Sequence, residues 1–228
     1  TSKTLDAMLA EIRPEKTLDF STVCSSKQQK HTLHRRRYDF TQRLRAEFPS
    51  LDVFGHGVRP MGDKAVAVDP YRYHLTIENH RCDHHWTEKV SDAFLGWSLP
   101  IYYGCRNLAD YFPADSFVEI DIDRFDEAVA RIHEVIDGGE YGKRFDAIAE
   151  ARHLVLTRYN LFAVIDDIIH GGKAPAPNHP ASRLMLSRHA LRDQNFGNKL
   201  SYVWQSIRRK AHLNPFLNCH QTLCDSPK

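Results

Sequence analysis

Apolar residues recur along this chain at two alternating spacings, one close to two residues and one close to 3.6. Phe20-Ser21-Thr22-Val23-Cys24 is a short β-prone run, closed by a turn at Ser25-Ser26. From His34 to Phe48 the period is helical, with Phe40, Leu44 and Phe48 on one stripe and Pro49-Ser50 as the stop. Leu51 to Phe54 predicts a second strand, ended by Gly55 and Gly57, and the alternation in Tyr71 to Ile77 (YRYHLTI) predicts a third. Asn79 to His85 reads as a polar loop. Thr87 then predicts a helix N-cap, with Val90, Ala93, Phe94 and Trp97 on one face behind it. Leu99 to Tyr103 is a continuous apolar run closed by Gly104, as expected of a strand buried on both faces. Phe117 to Ile120 predicts a fifth strand. Asp123 is expected to cap a helix carrying Phe125, Val129, Ile132 and Ile136, which Gly138-Gly139 ends.

Strands and helices alternating through short connections predict an α/β fold, a Rossmann-like parallel sheet with helices on both faces. Ligands of such sheets sit beyond the carboxyl ends of the strands. That rule selects the loops after Cys24, Ile77 and Tyr103. After Gly142 the pattern becomes a helical extension. One helix is expected over Phe145 to His170, with Leu154, Leu161, Ile165 and Ile168 apolar and Gly171-Gly172 closing it. Residues 173–181 hold three prolines and read as a linker. A last helix from about Asn198 to Ala211 carries Leu200, Val203, Trp204 and Ile207, and Trp204 is expected to be buried, either against this domain or against a partner domain outside this chain. The predicted division is residues 1–18 as an N-terminal segment or remnant of a preceding domain, 19–142 as the α/β domain, and 143–228 as C-terminal helices and tail.

Composition narrows the function classes. With 42% hydrophobic and 26% charged residues in 228, the chain is that of a globular protein, which excludes wholesale disorder. A net charge of +2 excludes a general nucleic-acid coat but leaves room for a local basic cluster. Nothing approaches the ~18 consecutive apolar residues of a membrane span, and no signal-like start is visible. Five scattered cysteines point to a reducing compartment, with Cys219 and Cys224 read as free thiols.

Three clusters carry candidate chemistry. Lys89 stands in the first turn of a helix, where a cation opposes the macrodipole; a bound anion reverses that sign, because free N–H groups and the ammonium then converge on it, and a solvated surface lysine on a tolerant helix is the alternative. His31 to Arg37 (HTLHRRR) sets three arginines around the start of the first long helix, so at most two can face one ligand; an exposed basic face is the alternative. His80, Cys82, His84 and His85 are metal-ligand types, but their spacing fits no standard zinc pattern, and no metal is expected.

Tyr71 to Gly104 (YRYHLTIENHRCDHHWTEKVSDAFLGWSLPIYYG) followed by Tyr111 to Asp121 (YFPADSFVEID) resembles the C-terminal, donor-binding domain of glycosyltransferase family 10, the α-1,3/4-fucosyltransferases, in its bacterial form. The family's hallmarks are an aromatic strand, a Glu-Asn-Ser loop, a helix opened by Thr-Glu-Lys, a Pro-(hydrophobic)₃-Gly strand and Pro-x-x-Ser-Phe. The likeness spans roughly residues 19 to 137, with an upstream His-Arg-x-Arg-Tyr-x-Phe stretch and the strand Asp52 to Gly55.

The resemblance implies the donor half of a GT-B enzyme, with 19–142 as the GDP-sugar-binding domain. It makes Lys89 a ligand of the donor diphosphate, Glu88 a contact of the ribose or transferred sugar, and Asn79 a donor-pocket contact. Arg37 becomes the upstream basic residue, with Arg35 as the fallback. His80 replaces the family's usual Ser, and His85 replaces a donor-contacting Tyr of bacterial members; His85 is retained as a donor-binding candidate. The implied reaction is inverting transfer of fucose from GDP-fucose to a glycan hydroxyl. Lys89, Arg37 and the helix start at Thr87 would stabilise the departing diphosphate, with no cofactor. Asp121-Ile122-Asp123 spells a metal-binding Asp-x-Asp, but Asp123 is assigned to the cap. The general base belongs to the family's acceptor domain; Glu11 and Glu15 do not lie in such surroundings, so this chain is expected to supply mainly the donor half. Expected partners are the GDP-sugar and a glycan acceptor, with no nucleic acid and no membrane contact through this chain. The expected location is bacterial cytoplasm, with peripheral attachment to the inner membrane left open. Two alternatives stand: a transferase of the same fold using another GDP-sugar, and a non-catalytic nucleotide- or nucleic-acid-binding module using His34 to Arg37.

Overall fold

The computed structural model describes residues 3–26 and 32–171, together with 195, 197, 199, 200 and 204. The elements follow in the order α1 (Leu5–Ala10), β1 (Leu18–Val23), α2 (His34–Glu47), β2 (Asp52–Phe54), α3 (Ala65–Val68), β3 (Tyr71–Ile77), α4 (Glu88–Leu95), β4 (Leu99–Tyr103), β5 (Val118–Glu119), α5 (Phe125–Asp137), α6 (Glu140–Lys143), α7 (Phe145–Thr157) and α8 (Leu161–His170). The strands form one parallel sheet in the order β2-β1-β3-β4-β5, with Thr22 between Val53 and Leu75 and Ile77 opposite Tyr103. The chain steps outward from β1 to β2 and then crosses back to β3. The direction of winding therefore reverses between β1 and β3, the position at which such sheets open a crevice for ligands.

Both faces of the sheet are covered, as a parallel sheet requires. Against one face, Phe40 and Leu44 of α2 and Ile132 and Val135 of α5 close on Tyr73, Leu75, Leu99 and Ile101. Against the other, Val90 and Phe94 of α4 and Ala151 and Val155 of α7 enclose Tyr102, Phe112 and Phe117. Every residue of β4 is buried. Two glycines admit close approach: a Cβ on Gly55 (φ +138) would lie 2.6 Å from the Cys24 carbonyl oxygen, and one on Gly104 would lie 2.6 Å from the Tyr102 hydroxyl and 2.8 Å from Glu78 Cβ.

At the amino ends of the strands, the buried Arg152 guanidinium donates to Met8 O (2.7 Å), Leu95 O (3.3 Å) and Glu11 Oε2 (2.8 Å) and lies over the Trp97 ring. The clasp joins the segment around α1 to α4 and α7. Glu11 also accepts from Trp97 Nε1 (3.3 Å), so its carboxylate is committed there.

Three local expectations are corrected. Asp123 does not cap α5: Arg124 holds the cap position without a side-chain bond, Asp121 accepts the Asp123 N–H (3.0 Å), and Asp123 pairs with Arg36. Trp97 lies beyond α4, because Gly96 ends the helix; Trp97 takes φ +58 and stacks on Phe145 at 5.4 Å. The helix expected over 145–170 is two, broken at Arg158 and restarted where the Asn160 side chain accepts from Ala163 N (2.9 Å). α8 buries none of its residues.

The chain divides into two compact units, 1–173 and 174–228. In the second, Gly197, Lys199, Leu200 and Trp204 are helical, and Trp204 is 54% exposed. The predicted linker, His31, Cys219 and Cys224 lie outside the described residues. Among the described residues no helix is long and apolar enough to cross a membrane.

Candidate functional site

The polar face of β3 shapes the site. Arg72, His74 and Thr76, with Glu78 just past the strand, point away from the apolar side, yet His74, Thr76 and Glu78 are 4%, 2% and 0% exposed. His74 and Thr76 lie beneath the layer formed by α3 and α4, and there they border a cleft of about 400 Å³ that opens at the carboxyl ends of β1 and β3. Its wall includes Ser25, Arg37, Lys64, Asn79, Glu88, Lys89 and Asp92.

Glu78 organises one rim. Gly104 leaves space for its side chain, and its backbone N–H is held by Tyr103 O (2.8 Å). The carboxylate accepts the Thr87 N–H at 3.0 Å, the Thr87 O–H at 2.7 Å and the Lys89 ammonium at 3.2 Å. Thr87 is the N-cap of α4, its Oγ1 accepting the Lys89 N–H at 3.4 Å, as its place in the sequence predicts. The Lys89 ammonium also donates to Thr87 Oγ1 (2.9 Å) and, at 3.4 Å, to Glu88, whose side chain is 60% exposed. Burial pushes the Glu88 carboxyl up, but Lys89 and Lys64 beside it prevail and hold it below the usual glutamate value. Lys64 pairs with Asp92 at 2.6 Å; burial still raises the Asp92 carboxyl above its usual range.

Arg37 forms the opposite wall. Leu33, just before α2, donates its N–H to Asn79 O (3.0 Å), which anchors the helix start to the end of β3. One turn on, Arg37 is 7% exposed and donates through Nη1 to Asn79 Oδ1 (3.0 Å) and Ile77 O (3.4 Å). Its Nε is sealed from solvent with no hydrogen-bond partner. Among the described residues no carboxylate lies within ion-pair distance of this guanidinium. A buried cation without a counter-ion is costly, and an anion in the cleft removes that cost.

On the floor, Ser21 donates to Ala67 O (2.6 Å), so the 2.8 Å contact between Ser21 Oγ and His74 Nδ1 is donated by the imidazole. Burial pushes His74 down to about 3, and it is neutral.

Arg37, Asn79, Glu88 and Lys89 therefore meet at one cleft. Arg35 and His85 do not line it. Arg35 points outward to Asp39 (3.7 Å), because consecutive helical residues diverge by roughly 100°. His85 stands edge-on to His80 with ring centroids 5.8 Å apart. The three arginines thus separate: two face carboxylates on the surface and one is buried. His84 bonds the Tyr111 hydroxyl (2.7 Å), and among the described residues no group of three His, Cys, Asp or Glu is arranged to hold a metal. The loop after β4 borders a separate hollow with Arg81 and Arg106. Sequence reasoning missed Glu78, His74, Lys64 and Asp92. The signal for the first two was polar alternation in a strand that a doubly covered sheet buries on both faces.

The pattern of the family described as glycosyltransferase family 10 (fucosyltransferase), C-terminal, matches residues 14–140, more than half of the chain. The chain belongs to this family. As a family 10 domain it is 33% identical over 79 residues to the α-(1,3)-fucosyltransferase FucT of Helicobacter pylori, covering 34% of this chain and 16% of that protein. It is 30% identical over 88 residues to an α-(1,4)-fucosyltransferase of Arabidopsis thaliana, covering 39% and 18%. A crystal structure of an α1,3-fucosyltransferase with GDP-fucose aligns over 60% of this chain and 40% of that one, at 24% identity and a TM-score of 0.48. The matched stretch is less than a fifth of the length of the two curated relatives.

Proposed function

We propose that this family 10 domain binds a GDP-sugar, GDP-fucose first, and is the donor half of an inverting transferase acting on a glycan hydroxyl. The observation that carries the reading is Arg37, a buried guanidinium with no carboxylate partner among the described residues, across a strand-end cleft from Lys89. In this reading the diphosphate lies between them, since both line the cleft. As the bond to the anomeric carbon breaks, negative charge grows on the departing phosphate oxygens, and fixed cations stabilise that charge more than the ground state. Asn79 orients Arg37, and Glu88 at the open rim is placed to meet the ribose or the sugar. The base that takes the acceptor proton is assigned to another part of the enzyme, since Glu11 is bound in the Arg152 clasp.

Thermal unfolding with a panel of sugar nucleotides tests the assignment. GDP-fucose and GDP are expected to raise the midpoint, and UDP-sugars to leave it unchanged. An equal response to other GDP-sugars would favour a different transferred sugar. Salt-sensitive binding to oligonucleotides with indifference to GDP would favour the nucleic-acid reading.

A further inference from the structure

Lys89 has three ammonium protons, and the structure accounts for all of them: Glu78 Oε2 at 3.2 Å, Thr87 Oγ1 at 2.9 Å and Glu88 Oε1 at 3.4 Å. The three acceptors differ. Glu78 is 0% exposed, packs closely on Gly104, and is itself held by the Thr87 N–H and O–H. Thr87 is fixed as the helix cap. Glu88 is exposed and makes the longest of the contacts.

From this arrangement, and resting on the donor-site reading above, we infer that Glu78 is a positioning residue that acts through Thr87 to aim Lys89. Two of the ammonium's bonds are permanent and point inward. The third points along the cleft rim and is exchangeable, so a donor phosphate takes the place of Glu88. A lysine on a free four-carbon stem must be ordered when it binds a phosphate; this brace orders it beforehand. The same carboxylate would tie the end of β3 to the first turn of α4, so the strand-end cleft and the cation are set by one side chain.

Replacing Glu78 by Gln keeps its size but sets an amide N–H₂ against either the Thr87 donors or the ammonium. Thr87→Val removes the bridging hydroxyl without altering charge. Each is made in the Lys89 and the Lys89→Ala backgrounds of the full chain, and GDP affinity is measured by calorimetry beside the thermal midpoint. The expected result is a loss of about 10–100-fold with Lys89 present, the scale of a charge-assisted hydrogen bond, and no loss in the Lys89→Ala background. Equal losses in both backgrounds would show a role in helix or fold alone and overturn the inference, as would unchanged affinity in both variants. If Lys89→Ala weakens GDP while Glu78→Gln and Thr87→Val do not, only the Glu78 assignment falls. If the wild-type chain does not bind GDP, the donor-site reading falls with it. Should Glu78→Gln fail to fold, Thr87→Val decides.

Discussion

The Arg37 guanidinium donates to Asn79 Oδ1 at 3.0 Å, across 42 residues of sequence, and so joins the helix after the first strand to the loop after the third. These two connections flank the point where the sheet reverses its winding. The bond holds a charged fork in place without neutralising it, since an amide oxygen carries no net charge. The structure thereby keeps a buried cation available to a ligand.

Such a cation stabilises the complex and not the fold. Arg37→Met should leave unfolding free energy unchanged or raise it by about 1 kcal/mol, because a well-packed apolar chain avoids burying charge. GDP affinity should fall at least tenfold. Urea unfolding and calorimetry on the same variant separate the two effects; a large loss of stability with intact GDP binding would make Arg37 structural.

His74 gives the fold a sensitivity to mild acid. Burial holds the folded imidazole at about 3, whereas the unfolded side chain titrates at its ordinary 6.5. Between those values the unfolded state binds a proton that the folded state does not, so stability is lost as pH falls from 6.5. The slope for one proton is about 1.4 kcal/mol per pH unit. From pH 6.5 to 5, urea midpoints of the wild type should decline, and His74→Gln should flatten the decline.

Gly104 is required by contact. Its Cβ would press on Glu78 and on the Tyr102 hydroxyl, both in a packed interior. Gly104→Ala should cost about 1–3 kcal/mol and displace Glu78. A variant as stable as wild type in denaturant titration would contradict this.

The Arg152 clasp lies at the other end of the strands. Arg152→Ala strands the Met8 and Leu95 carbonyls and should cost about 2–4 kcal/mol, leaving GDP affinity within twofold while the protein is folded. A loss of affinity at a temperature well below the transition would tie this end to the site.

The legible and the hidden features have physical reasons. Strands such as Tyr71–Ile77 and the Thr87 cap follow from local period and chemistry, and they appear where the sequence puts them. Arg37 was separable from Arg35 only through the family spacing; the structure shows the cause, one arginine turned under the sheet edge and its neighbour outward. Glu78 and His74 were hidden because alternation in a strand suggests a solvated polar face. Here that face lies under α3 and α4. The break between α7 and α8 was hidden because apolar period runs through it, while Asn160 makes a capping bond that periodicity does not record. Asp123 had the right type for a cap, but a partner from α2, Arg36, takes it.

The central claim is that a diphosphate is held between Arg37 and Lys89. Calorimetric titration of GDP into the wild-type chain, Arg37→Ala and Lys89→Ala at moderate salt tests it most directly. Saturable binding by the wild type, weakened at least tenfold in each variant, is the predicted result; equal affinity in all three would contradict it.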